Sequence, residues 1–241
     1  MSQDDPFRHH PRLRAMITPR DQSMFKDFRV EMARARMAEK GLPDAWVQSE
    51  DAREACRAQA LAGRMDRDLW VFGYGSLMWD PGIHFTEVRR AFVPGVARRF
   101  ILVDANGGRG TQDAPGAMAA LDRGEGCHGL VFRIPAEVLE AETYSLWSRE
   151  RIGGAYSPAF VMAETAHGAV EALAFLADHS ADQIDPDLSH EDQVRLIATG
   201  AGILGTSLTY LENLAAHFDA MGIDAPEVAR LLADVRAYRG T

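Results

Sequence analysis

Beyond Asp68 the sequence falls into short apolar, β-type runs: Leu69 to Gly73, Arg98 to Asp104, Cys127 to Ile134, Ala159 to Glu164 and Val170 to Ala177. Gly, Pro and Asp separate them, and runs so bounded read as strands. Their spacing restricts this part of the chain to a sheet or a small barrel. One helical pattern interrupts them, Pro135 to Glu150, with proline at a first-turn position and Val138, Leu139, Leu146 and Trp147 at helical spacing. The last third is helical. Ser189 with Asp192 resembles a capping box ahead of Val194, Leu196 and Ile197, and Tyr210 to Met221 and Pro226 to Tyr238 carry further stripes.

The N-terminal 68 residues have a different texture. Pro6, Pro11 and Pro19 alternate with arginines and with His9 and His10, which predicts a mobile arm over residues 1 to 20. A helical stripe of Met24, Phe25, Phe28, Met32 and Ala35 predicts a helix over 23–39, stopped by Gly41-Leu42-Pro43, and a second helix is expected from about Ser49 to Leu61. The expected organisation is an arm and helical extension over 1–68 and a catalytic domain over 69–241.

Composition excludes several function classes. A net charge of −9 speaks against nucleic acid as the main partner. No run approaches the ~20 apolar residues of a membrane span, and the N-terminus lacks the apolar core of a secretory signal. Cys56 and Cys127 stand far apart without ligand spacing, so neither a disulfide framework nor a metal site is expected. A cytoplasmic protein is the expectation.

Two motifs mislead. Gly200-Ala201-Gly202-Ile203-Leu204-Gly205 matches GxGxxG, but a helical run precedes it where a dinucleotide site needs a strand, so helix termination and close packing are expected. Ser76 in Gly73-Tyr74-Gly75-Ser76-Leu77 does not meet the G-x-S-x-G pattern of a hydrolase elbow.

Three constellations remain. The turn after Gly73 can gather backbone amides into an anion-binding nest, although turn chemistry by itself favours a plain turn. Glu150 stands where a helical pattern ends, between Arg149 and Arg151 and before Gly153-Gly154, and a surface ion pair is its ordinary alternative. Arg98, Arg99 and Arg109 are basic residues on a strand and the following loop. They suit a substrate carboxylate or plain solvation.

Taken in order, Trp70-Val71-Phe72-Gly73-Tyr74-Gly75-Ser76-Leu77, Arg98-Arg99-Phe100, Arg109-Gly110-Thr111, Gly129-Leu130-Val131-Phe132-Arg133-Ile134-Pro135 and Arg149-Glu150-x-x-Gly153-Gly154-x-Tyr156 resemble the ChaC branch of the γ-glutamylcyclotransferases, over about Leu69 to Met221. A C-terminal Gly205-x-Ser207-x-x-Tyr210-Leu211 pattern departs from the family, where Asn and Glu are expected at 207 and 209. The resemblance implies an α+β fold with a compact barrel-like mixed sheet and surrounding helices. It also implies cleavage of glutathione to 5-oxoproline and Cys-Gly, by attack of the substrate's own amine on the γ-carbonyl, without metal, cofactor or enzyme nucleophile.

By this resemblance Glu150 is the general acid and base, its carboxyl lifted by burial, with Arg149 and Arg151 expected to point away. Tyr74, Gly75, Ser76 and Leu77 hold the α-carboxylate. Tyr156 and Tyr210 donate hydrogen bonds, and Arg98, Arg99 or Arg109 meets the glycine carboxylate. Two alternatives stand beside it: a cyclotransferase for other γ-glutamyl amines or amino acids, and a non-catalytic binding module gripping a protein partner.

Overall fold

The computed structural model describes residues 5–240. Its centre is a closed five-stranded barrel in the order β1-β3-β2-β4-β5, formed by β1 (Leu69–Gly73), β2 (Glu87–Asp104), β3 (Gly116–Ile134), β4 (Tyr156–Thr165) and β5 (Val170–Ala177). Neighbours pair antiparallel except at the seam, where β5 meets β1 and β3 in parallel. The expected barrel with helices around it is what the chain forms.

All five runs lie within strands, but β2 and β3 are far longer than their apolar cores. Together they make one long hairpin. The first half of β2 hides behind Pro94-Gly95, where the register with β3 shifts and Gly95 takes a φ of 78°. A bulge of this kind bends a strand without ending it.

Helix α3 (Leu139–Glu150) lies against the barrel, and its sequence dictates which side faces inward. Leu139, Thr143, Leu146, Trp147 and Glu150 recur at three- and four-residue spacing, so they form one stripe. The first four are buried, and Glu150 extends the same face by one turn. Helices α4 (His190–Thr199), α5 (Ser207–Met221) and α6 (Pro226–Ala237) follow, the first two with side-chain caps from Ser189 and Thr206. Between α4 and α5 runs a two-stranded hairpin, β6 (Ala201–Gly202) with β7 (Gly205–Thr206). No helix of the described residues is long and apolar enough to cross a membrane.

The N-terminal region does not behave as an arm. From Asp5 onward it is packed: Leu13 and Ile17, 1% and 3% exposed, join the core that contains Val71, Met78 and Phe132. Arg8 and His9 pair with the buried Glu87. The prolines, read as features opposing structure, instead start a 3-10 turn at Pro11–Ala15 that delivers Leu13 to the core. Residues 1–4 of the expected arm lie outside the described residues. Leu13→Ala is expected to cost about 2–5 kcal/mol in denaturant unfolding, as for other fully buried leucines; a free arm would leave stability unchanged.

The expected helix over 23–39 begins only at Val30. Asp27 adopts a left-handed φ of 50° that ends the preceding turns, so α1 (Val30–Glu39) buries Val30, Ala33 and Met37 and leaves Met32 exposed. Helix α2 (Glu50–Ala60), capped by the Ser49 side chain, forms where expected.

Candidate active site

A cavity of about 370 Å³ opens at one end of the barrel, a size suited to a small ligand. Strand β1 ends there in Tyr74, Gly75, Ser76 and Leu77, and all four line it. A 3-10 turn, Ser76–Met78, follows, in which the amides of Met78, Trp79 and Asp80 donate back to the carbonyls of Gly75 and Ser76. The amides of Gly75, Ser76 and Leu77 have no backbone acceptor among the described residues. They are the orphan donors of a helix start.

The glycines serve closeness here, and neither takes a left-handed φ. A Cβ on Gly75 would stand 2.3 Å from the Tyr210 hydroxyl, and one on Gly73 would stand 2.9 Å from the Leu77 Cβ. The chain thus passes directly under Tyr210, whose ring stacks edge-on against Trp79 at 5.2 Å.

Glu150, the last residue of α3, reaches the same cavity. Its side chain is 13% exposed, and burial raises its pKa above the ordinary carboxylate value, with the Arg149 charge opposing. The C-terminal end of a helix is also unfavourable for a carboxylate.

Arg149 does not point away as expected. Its Nε lies 3.0 Å from Glu150 Oε1, its Nη2 donates to Ser76 Oγ at 2.8 Å, and its Nη1 donates to the Asp80 carbonyl at 2.6 Å. The guanidinium therefore ties the carboxylate to the glycine turn. Arg151 does turn aside, donating to the Tyr156 carbonyl. Because Ser76 Oγ accepts from Arg149, its own proton is free to donate into the cavity.

Three phenols surround this pair. Tyr74 and Tyr156 have pKa values well above normal and Tyr210 is pushed up to about 12, in each case chiefly by burial. All three are therefore neutral donors near pH 7.

Of the three arginines singled out in the sequence, the fold brings only Arg109 to the cavity. Arg98 turns behind the turn, where Nε donates to the Tyr74 carbonyl at 2.7 Å and Nη2 to the His128 carbonyl at 2.6 Å. It buttresses the turn from outside. Arg99 pairs with Asp122 at 2.8 Å and donates to the Pro186 carbonyl. Neither lines the cavity: Arg98 supports the turn from behind, and Arg99 is held by Asp122 and Pro186.

Arg109 sits on the β2–β3 loop. Asp104 shapes that loop by accepting from the amides of Asn106, Arg109 and Gly110. The loop rests on the misleading glycine motif: Ile203 and Leu204 donate to the carbonyls of Gly107 and Gly108 at 2.8 Å each, and a Cβ on Gly202 would stand 2.4 Å from the Gly108 oxygen. Close backbone packing, as expected, is what those glycines permit. Ser207, at the position where the resemblance implies Asn, is fully buried and donates to the Arg109 carbonyl at 3.1 Å. A small side chain fits because Gly116 lies against it. Thr209 is exposed, and its hydroxyl meets that of Thr206.

The cavity also has a wall that reasoning from the sequence missed: Met24, Phe25, Phe28, Arg36, Met37 and Trp46. The stripe of Met24, Phe25 and Phe28 was visible, but nothing in its pattern indicated what it covers.

The family model described as "ChaC-like protein" matches residues 69–238. A glutathione-specific gamma-glutamylcyclotransferase of Escherichia coli (strain K12) is 37% identical over 190 residues, which cover 78% of this chain and 82% of that one. A human protein named glutathione-specific gamma-glutamylcyclotransferase 1 is 30% identical, over 66% of this chain and 73% of its own. Among solved structures, a yeast gamma-glutamyl cyclotransferase described as specific to glutathione superposes with a TM-score of 0.66 at 22% identity, covering 72% of this chain and 97% of that one.

Proposed function

The chain belongs to the ChaC-like family, and on that premise we infer that it is a glutathione-specific γ-glutamylcyclotransferase, a lyase that releases 5-oxoproline and Cys-Gly. The observation that carries this reading is the buried Glu150 sharing one cavity with the free amides of the Gly75–Leu77 turn. A five-membered ring closes only if the substrate folds back on itself. One group must hold the α-carboxylate while another manages protons at the amine.

The turn supplies the first. The amides of Gly75, Ser76 and Leu77, with the Ser76 hydroxyl, grip the α-carboxylate of the γ-glutamyl group. This grip swings the α-amine towards the γ-carbonyl carbon, and such orientation is worth several kcal/mol of the roughly 7–11 open to well-aligned intramolecular reactions.

Glu150 supplies the second. Ionised, it takes a proton from the ammonium and frees the amine lone pair. The new C–N bond forms, the γ-carbonyl oxygen gains negative charge, and the neutral phenols that line the cavity, Tyr74, Tyr156 and Tyr210, are the candidate donors to it. As the old amide C–N bond breaks, the proton held by Glu150 passes to the departing nitrogen of Cys-Gly. The regenerated carboxylate then takes the second proton from the ring nitrogen and passes it to the freed amine, leaving a neutral lactam and a Cys-Gly ammonium. Atoms balance without water: one tripeptide gives one lactam and one dipeptide.

A small-molecule substrate fits the cavity, and the charge of −9 fits a protein that does not bind nucleic acid. A cytoplasmic site of action agrees with free thiols at Cys56 and Cys127. Incubating the purified protein with glutathione is expected to give equimolar 5-oxoproline and Cys-Gly by mass spectrometry. Absence of both products refutes the assignment.

A further inference from the structure

The segment from Ser23 to Gln48 precedes the span of the family match, yet it is pinned to the elements around the cavity and forms part of its wall. Phe25 presses on Gly82, whose φ of 67° and missing Cβ make room for it. Ser145 Oγ accepts from the Phe28 amide at 2.7 Å and donates to the Phe25 carbonyl at 3.2 Å. Leu42 covers Gly107, the Trp46 ring covers Gly153, and the Gln48 amide donates to the Ile152 carbonyl at 2.8 Å. Every one of these attachments falls on a loop or helix that carries a cavity residue. The segment is a strap.

We propose that this strap is the binding wall for the leaving dipeptide, with the Arg36 guanidinium holding its terminal carboxylate. The inference rests on the cyclotransferase reading above. Glutathione carries two carboxylates at opposite ends, and the glycine turn accounts for one. The second needs a cation, and three line the cavity: Arg36, Arg109 and Arg149.

Arg149 is committed to Glu150, Ser76 and the Asp80 carbonyl, and its plane rests on the Phe25 ring at 3.8 Å. Arg109 is 9% exposed, donates to the Thr206 carbonyl at 3.0 Å and stands over Tyr210 at 5.5 Å. Its role is to hold the wall behind Tyr210. Arg36, in the last turn of α1, is half-buried, and its guanidinium has no hydrogen bond or ion pair among the described residues. Its planar fork is available to a carboxylate in the two-pronged geometry that guanidinium favours. Phe25, Phe28 and Trp46 line the same cavity as Arg36 and Glu150 and offer aromatic surface to the cysteinyl sulfur, a favourable contact.

The test compares kcat/KM for glutathione with kcat/KM for glutathione whose glycine carboxyl is converted to the amide, in the wild type, Arg36→Gln and Arg36→Lys. The ratio of the two cancels any loss of folded protein. The wild type is expected to prefer the acid by about tenfold or more, the size of one charge-assisted contact. Arg36→Gln is expected to bring that preference close to one, and Arg36→Lys, which keeps the charge but not the two-pronged fork, to retain only part of it. An unchanged preference in Arg36→Gln, or none in the wild type, overturns the inference and leaves the cyclotransferase reading intact. A wild type that cleaves neither substrate overturns both.

Discussion

Glu150→Gln is expected to lower glutathione turnover by a factor on the order of 10³, within the range of 10²–10⁴ for a lost general acid–base. The amide keeps the shape of the side chain but can neither take the ammonium proton nor pass it to Cys-Gly. The pH profile gives a second signature. Burial raises the Glu150 pKa, and the base must be ionised, so wild-type kcat/KM is expected to fall with decreasing pH along a limb above the ordinary carboxylate range. The residual rate of the variant loses that limb. Stability moves the opposite way. Since the folded-state pKa lies above the unfolded value, ionisation of Glu150 destabilises the fold progressively as pH climbs from the unfolded pKa through the raised one. At neutral pH the variant is therefore expected to melt higher than the wild type. A variant that is as active as the wild type would remove Glu150 from the mechanism.

Gly75→Ala should be the next most damaging change, with kcat/KM reduced by roughly 10²-fold, the cost of a displacement near 1 Å at a reacting centre. The added Cβ would stand 2.3 Å from the Tyr210 hydroxyl. Tyr210 has no space to retreat, because Trp79 blocks its ring on one side and Arg109 stands over another. The turn must move instead, carrying the Ser76 and Leu77 amides with it. Tyr210→Phe removes the clashing oxygen, leaving the nearest ring carbon at 3.4 Å. The double variant is thus expected to lose much less than the product of the two single losses. Independent, multiplicative losses would show that the glycine is needed for another reason.

Much of this architecture was legible in the sequence, and the gaps have physical causes. β1 and β5 were visible end to end because their apolar runs have clear turn signals at both sides. The early part of β3, Gly116-Ala117-Met118-Ala119-Ala120, was not, because small residues with low strand propensity serve there as close-packing surface, buried but featureless. At the site, Glu150 and the 74–77 turn stood out only through the family resemblance, because local chemistry alone suits a surface ion pair and a plain turn equally well. Arg98 and Arg109 cannot be told apart by type. Only the fold shows that one grips the Tyr74 carbonyl from behind while the other faces the cavity. Arg149 was misread because two basic neighbours of a carboxylate looked equivalent, whereas a helix end turns consecutive residues about 100° apart.

The strap also imposes an order on assembly. It is synthesised before the elements it covers, for Ser145, which receives both Phe25 and Phe28, lies 120 residues downstream of Phe25. At ribosomal rates of about 5–20 residues per second, that separation is a delay of roughly 6–24 s. Throughout it, Phe25, Phe28 and Trp46 have no barrel to cover. The strap leaves the ribosome well before the surface that receives it, so a nascent chain arrested before α3 has neither a closed cavity nor a shelter for these aromatics.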